Sequence, residues 1–493
     1  MFLLDILKHP KILGYAGIII PVIVQAALLH PYYQKDEAAI KTRRFLLPII
    51  VLMAFATANA RKWKPLSESK LANFCFVSLV TFHTICLGIQ NGLYDGPVLK
   101  DGLKSLEKNQ IICKEDEGAL GSPINSKGNL SPSEEGKKES KREESNQEKI
   151  KDKECINAEK EIAKETQPQA LGFDKRPSIG ELVRFSTWLV FSPRGLECSW
   201  APSKSVIAPR APVSNAVFFR QELLRAIGFN IYGNFCWQLL VYSFTHQKGF
   251  YGVLTKHTGI PESAITEFVT SYGMSFCLGA SMWSAMEIAA CGMNAFEFLF
   301  YPLARATLPK NWAPEKPFDP QRYPLLFCKP WQRASVSDFW GRGWHSLFRR
   351  DLVFCGALPV AKCASALGFG KQVQKILGLM GAMFLTAVMH EYAIASVSDE
   401  KHGIGIISFF INCALVMLLE NLLQTYTKIR FQGNLGRMWT YGWLLYLGKP
   451  ALDLWAERGL GEGLVPIAQM KWSQILLPAG FALPTRWFNV LPF

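Results

Sequence analysis

The absences in this chain are the first guide to what it is. Its twelve cysteines form no Cys-x-x-Cys pair and no Cys/His spacing of the kind that holds zinc. Those at Cys75, Cys86, Cys236, Cys277, Cys291, Cys355, Cys363 and Cys413 fall inside apolar runs, where a thiol behaves as a small hydrophobe. The sequence therefore predicts neither a disulfide framework nor a metal site. There is no Gly-x-Ser-x-Gly elbow, no phosphate-cradling glycine loop and no His-Glu-x-x-His, which excludes the common serine-hydrolase, nucleotide-hydrolysing and zinc-protease arrangements. The first apolar run contains Pro21 and ends at Leu29-His30-Pro31 without a small-x-small site, so it is predicted to persist as a span. No inverted repeat or matched pair of broken helices is visible, which counts against a transporter, the reading from a different class that remains open.

What the chain has in abundance is apolar and aromatic surface: 49% hydrophobic residues, with 14 Trp and 33 Phe. Apolar stretches fall near 12–30, 45–60, 71–93, 226–245, 265–290, 351–368, 375–395, 403–424 and 436–455. They approach or exceed the roughly 20 residues that cross about 30 Å of hydrocarbon. A tenth stretch, 464–482, is broken by Pro466 and Pro478 and reads as re-entrant. The predicted fold is all-α, a polytopic membrane protein with roughly 8–10 transmembrane helices and additional interfacial ones. Its net charge of +14 does not point to nucleic acid. The basic clusters Lys41-Thr42-Arg43-Arg44 and Arg61-Lys62-Trp63-Lys64 border spans, where anionic lipid explains them. They flank both ends of the second span, so charge does not set its orientation.

Three parts are expected: N-terminal transmembrane helices over 1–95, a charged, disordered loop over 96–178, and a membrane core over 179–493. The loop is rich in Lys, Glu and Ser, typified by Glu134-Glu135-Gly136-Lys137-Lys138-Glu139, and has too little apolar surface to fold.

The chemistry-bearing stretch runs from Ser337 to Arg350. Read at about 100° per residue, it predicts an amphipathic interfacial helix. Asp338, Arg342, His345 and Arg349 lie on one side, Trp340, Trp344, Leu347, Phe348 and Asp351 on the other, with Ser335 or Ser337 as the cap. The tryptophans are expected at headgroup depth. A later apolar run ends in Thr386-Ala387-Val388-Met389-His390-Glu391. An ionisable group there is costly enough to imply a task. Thr386 sits one helical turn before His390, within reach of its ring. Between Arg350 and His390 there is room for two crossings, about 351–368 outward and 375–393 back. An even number of crossings returns the chain to its starting side, so His345 and His390 are predicted to meet at one face.

These residues carry a resemblance. The stretch Tyr301–Arg350, with its Ser337-Asp338-Phe339-Trp340 and Trp344-His345 core, together with Phe384–Ile394, resembles the wax-synthase-like branch of the membrane-bound O-acyltransferases. Within that branch it is most similar to fungal members that acetylate terpenoid and other secondary metabolites. Arg184–Trp200 resembles the group's upstream Arg-Gly segment. Two departures stand out: Gly343 where relatives often carry a second arginine, and Thr386-Ala387 where a Ser-Gly pair is usual.

The resemblance implies His390 as general base and His345 as its catalytic partner. A neutral imidazole, with an intrinsic pKa near 6.5, suits removal of the acceptor's hydroxyl proton. Trp340, Trp344, Thr386 and Glu391 are expected to position substrate, although Glu391 projects about 100° from His390 on a helix. Arg342, Arg349, Arg350, Arg333 and Lys329 are expected to hold the phosphates of coenzyme A at the cytosolic mouth. Acetyl-CoA is then the co-substrate, a lipophilic alcohol entering from membrane lipid is the acceptor, and the endoplasmic reticulum is the expected site. A long-chain wax or sterol ester synthase is the alternative within the family.

Overall fold

The computed structural model describes residues 10–58, 70–96, 176–196, 200–202, 206–245, 248–310, 312–314, 317–397, 404–428 and 430–459. The charged loop expected over 96–178 and the re-entrant piece expected at 464–482 lie, apart from their edges, outside the described residues, as do Arg61–Lys64. Almost all of what is described belongs to one compact unit, Met1–Pro97 with Ser178–Phe493.

Only helices and turns occur among the described residues. In chain order these are α1 (Pro10–Ala27), α2 (Glu37–Ala58), α3 (Lys70–Phe76) running through a π-helical turn (Val77–Phe82) into α4 (His83–Leu93), α5 (Ile179–Val190), α6 (Asn215–Thr245), α7 (Gly249–Thr258) and α8 (Ala264–Thr307). After a stretch of turns and short helical pieces, which includes a second π turn, comes a third π-helical segment (Leu352–Ala357) leading into α9 (Leu358–Ala366), then α10 (Lys371–Val397), α11 (Gly405–Thr427) and α12 (Gly433–Glu457). Among the described residues, four segments are long and apolar enough to cross a membrane by length and composition: Asn73–Leu93, Ala264–Thr307, Lys371–Ala395 and Gly405–Thr427. The remaining runs read as spans also form helices, with shorter or more polar windows. The outward faces are apolar: Leu224, Ile227, Ile231 and Phe235 follow one another along α6 at helical spacing, and Ile231 and Phe235 are 67% and 62% exposed. A row of that kind suits hydrocarbon and costs free energy in water.

Helices α6 and α8 pack along each other and are pinned by a buried polar network. Glu222 accepts hydrogen bonds from Arg210 and from Arg225 (2.8 Å), and from Asn294 (2.7 Å) on α8; Arg225 also pairs with Glu287. Arg225 is thus shared between two buried carboxylates, Glu222 and Glu287.

The core that carries the site is shared by α3, α6, α8, α10, α11 and α12, with Val336 from the chemistry-bearing stretch at its centre. The segment Leu352–Ala357 and α9 lie against α10. That approach depends on two glycines. A Cβ at Gly381 would stand 2.7 Å from the Gly356 carbonyl, and one at Gly356 would stand 2.9 Å from the Gly381 carbonyl. Backbone on both sides cannot yield cheaply. Gly381→Val is expected to lower unfolding stability by about 1–3 kcal/mol, measured as the thermal midpoint of the detergent-solubilised protein, with parent-like stability refuting the close approach.

Candidate active site

The stretch from Ser335 to Arg350 folds differently from the continuous amphipathic helix its periodicity predicts. Ser335 is the cap and accepts from the Asp338 amide at 2.9 Å. One helical turn, Val336–Asp338, then widens into a π turn over Phe339–Gly343, closed by the Trp344 amide donating to the Phe339 carbonyl at 2.7 Å. Trp344 is extended (φ −74°, ψ 170°), and helix resumes only at Arg349–Asp351. Gly341 and Gly343 account locally for the break, because glycine is the residue least able to hold a helix interior. Two crossing hydrogen bonds fasten the unwound part: Cys328 N to Gly343 O (3.1 Å) and Ser346 N to Leu326 O (3.3 Å). His345 therefore leaves the row it would have shared with Asp338 and Arg342. Such π turns recur at functional sites.

The start of the turn is organised by Glu420, buried on α11. Its carboxylate accepts from the Val336 amide (2.6 Å), the Ser337 amide (2.8 Å), the Ser337 hydroxyl (2.6 Å) and the Trp439 indole (2.9 Å). Nothing in the local pattern around 420 announces this, since its partners lie 83 residues earlier and 19 later. The one usable signal is a lone acid in an apolar run.

The two histidines lie within electrostatic range of each other. His345 feels His390 electrostatically; burial first, then that neighbouring ring, pushes the His345 imidazole down to about 3, so it is neutral at physiological pH. A file of rings connects them: His345 to Trp344 (5.8 Å between centroids), Trp344 to Trp340 (6.0 Å), Trp340 to Phe410 (5.7 Å) and Phe410 to His390 (4.7 Å). Behind them, Phe348 touches His345, packs on Phe82 and shares a buried cluster with Met389. Trp340 and Trp344 thus face the protein interior rather than a headgroup layer. His390 bonds to the Thr386 carbonyl through Nδ1 at 2.8 Å. A carbonyl only accepts, so Nδ1 carries the proton and the Nε2 lone pair is left for chemistry. The Thr386 hydroxyl, expected to reach the ring, instead donates to Ala382 O at 2.9 Å. Glu391 is turned into the bundle with both carboxylate oxygens buried. The Nδ1 of His345 is buried with no hydrogen-bond partner among the described residues.

The five cations expected to act together are divided. Arg333 and Arg342 both pair with Asp338. Arg333 also donates to Cys328 O at 3.0 Å, and its chain fills the space a side chain at Gly343 would need, 2.6 Å from the position of a Cβ. The glycine in place of an arginine is therefore what lets Arg333 cross. Lys329 is exposed in a left-handed turn (φ 45°). Arg349 and Arg350 alone line a cavity, which Arg194 completes, a residue sequence reasoning placed in the upstream segment without a role.

These features lie in a segment with known counterparts. Residues 323–412, which hold both histidines and the file of rings between them, match the model of the membrane bound O-acyl transferase family. Two curated relatives are acetyltransferases by name. The chain is 24% identical to "Acetyltransferase ple2" of Rhodocybe pseudopiperita over 289 residues, 55% of this chain and 66% of that protein. It is 28% identical to "Acetyltransferase sirH" of Emericella nidulans over 134 residues, 25% of this chain and 30% of that protein. The chain spans less than two thirds of either relative.

Proposed function

We propose that this chain is a membrane-bound O-acetyltransferase that moves acetyl from acetyl-CoA to a hydroxyl of a lipophilic, terpenoid-like metabolite, in the endoplasmic reticulum. The observation that carries the reading is the proximity of His345 to His390, whose Nδ1 is held by a backbone carbonyl so that Nε2 carries the lone pair. The acceptor oxygen attacks the thioester carbonyl as His390 Nε2 takes its proton. The tetrahedral intermediate then expels the coenzyme A thiolate, which recovers that proton from the imidazolium. Neutral His345 can donate to the carbonyl oxygen as charge develops on it. The acetyltransferase names of the two relatives favour a short acyl chain.

Membranes from cells expressing the chain, given labelled acetyl-CoA and a panel of terpenoid and sterol alcohols, are expected to form ester and release coenzyme A only when an alcohol is present. Palmitoyl-CoA in competition is expected to be the poorer donor. Ester formation from palmitoyl-CoA alone would make the chain a long-chain ester synthase. Solute transport without ester would overturn the enzyme reading.

A further inference from the structure

The segment that carries His345 is held at its start by Glu420 on α11. Its far end is held by α4, from the N-terminal part of the chain. Asp351 is wholly buried and accepts two hydrogen bonds, one from His83 Nδ1 and one from the Gln90 side-chain amide, each at 2.7 Å. A carboxylate only accepts, so His83 Nδ1 carries the proton. The Gln90 carbonyl oxygen accepts in turn from Arg350 Nε at 2.6 Å. His83 and Gln90 stand two helical turns apart on α4, so both reach the same seam. The result is a file, His83–Asp351–Gln90–Arg350, that joins partners 268 residues apart at its first contact. Other contacts run beside it. Phe82 packs on Phe348 at 5.7 Å between centroids, and Phe348 touches the His345 ring at 5.9 Å. The Tyr94 hydroxyl donates to the Phe354 carbonyl at 2.7 Å. Two of the three π turns among the described residues border the file: His83 directly follows Val77–Phe82, and Asp351 directly precedes Leu352–Ala357. Such turns recur at functional sites.

We infer that His83, Gln90 and Asp351 are positioning residues for the acyl-transfer site: they fix the chain just after His345 against α4 and thereby set where the His345 ring stands relative to His390. The inference rests on the acyl-transfer reading and extends it, because it makes the N-terminal helices a working part of the site. Stability alone does not call for such a file. Apolar side chains of like volume hold two helices together as well as a buried charged network does, and often better. What the polar file adds is a single register. An apolar seam can slide, whereas hydrogen bonds in a water-poor interior are satisfied in one arrangement and costly in others. The three residues act through His345, by way of the Arg350–Asp351 backbone and the Phe82–Phe348 contact, and are assigned no contact with substrate.

The test exchanges a carboxylate and an amide between two positions of the full-length protein in phosphatidylcholine nanodiscs. Asp351→Asn alone turns an amide N–H toward that of Gln90 or of His83. Gln90→Glu alone sets two carboxylates against each other. Combined, the amide at 351 donates to the carboxylate at 90, which still accepts from Arg350, and the amide oxygen still accepts from His83. Each single variant is expected to lower kcat for ester formation by roughly tenfold or more, with KM for acetyl-CoA within about threefold, and the double variant to recover most of the loss. Backbone hydrogen exchange on the same samples needs no turnover. In the single variants the amides of Trp344–Leu352 should exchange roughly tenfold faster while those of α6 and α8 keep the parent's rate, and the double variant should restore protection. His83→Phe, which removes one hydrogen bond and keeps the volume, should show the same local pattern in milder form, about threefold in each readout. Faster exchange throughout the bundle, with kcat falling in proportion, would make the file merely structural and overturn the inference. So would a double variant no better than the worse single, or, where the single variants fail to fold, parent-like exchange and kcat in His83→Phe. The expected exchange pattern in a protein that never esterifies an alcohol would leave the positioning geometry standing and sink the acyl-transfer reading instead.

Discussion

His390→Ala is expected to lower kcat by about 10²–10⁴-fold, the range a positioned general base contributes, while membrane abundance and the thermal midpoint stay close to the parent's. The distinction matters because His390 also packs: its ring lies 4.7 Å from Phe410 and 6.0 Å from Phe74. His390→Gln, which keeps most of the volume and a hydrogen-bonding group but no comparable basicity, should be equally inactive if proton transfer is the role, and substantially active if packing is. The acceptor's KM should move little, since the lost interaction is made only in the transition state. His345 offers the contrast. Its neutral ring is assigned to a developing oxyanion, so His345→Asn, which retains a donor, should keep more activity than His345→Ala. Equal activity of His390→Ala and the parent, measured as ester formed per mole of membrane protein, would remove the base from the mechanism.

How far the site was legible in the sequence follows from which of its features are local. The nearness of His345 and His390 was legible from the two apolar runs between Arg350 and His390, which fold as helices packed against each other. The shape of the stretch that delivers His345 was not legible. Helical periodicity there is genuine, but Gly341 and Gly343 weaken the helix, and acceptors from distant segments (Leu326, Glu420) reward unwinding. The same periodicity misplaced Trp340 and Trp344, since an aromatic stripe has the same spacing whether it faces lipid or Phe409 and Phe410. Charge was the poorest guide. Five cations near one motif looked equivalent until Asp338 claimed Arg333 and Arg342, while Arg194, well over a hundred positions upstream, came to stand beside Arg349. Shorter or more polar runs such as 226–245 and 436–455 also form helices, while four helices among the described residues are long and apolar enough to cross by length and composition.

Glu420→Ala is the second change with a large expected effect, and it acts on a residue far from the reacting atoms. Removal of the carboxylate strands two backbone amides, a hydroxyl and an indole N–H in a buried region, since all four contacts are donors aimed at one group. Each buried donor left unmade costs about 1–3 kcal/mol. Shared relaxation keeps the sum below the simple total, so a loss of about 3–5 kcal/mol is expected, as when one partner is taken from a buried charged network. The consequence should be specific as well as global. Val336 and Ser337 are the first turn of the segment that carries His345 by way of the π turn, and Val336 is wholly buried in the central core. Freed from Glu420, that turn keeps only apolar contacts to α11, such as Trp340 against Phe409 and Phe410, and His345 loses its fixed distance from His390. Glu420→Gln retains one carbonyl acceptor and should recover part of the stability; activity should recover less, because an amide cannot satisfy four donors. The readouts are the thermal midpoint in detergent and kcat on the same preparations. A Glu420→Ala protein with parent-like stability and turnover would show that the buried carboxylate neither holds the segment nor places the histidine. A stable but inactive Glu420→Gln would isolate the positioning role from the structural one.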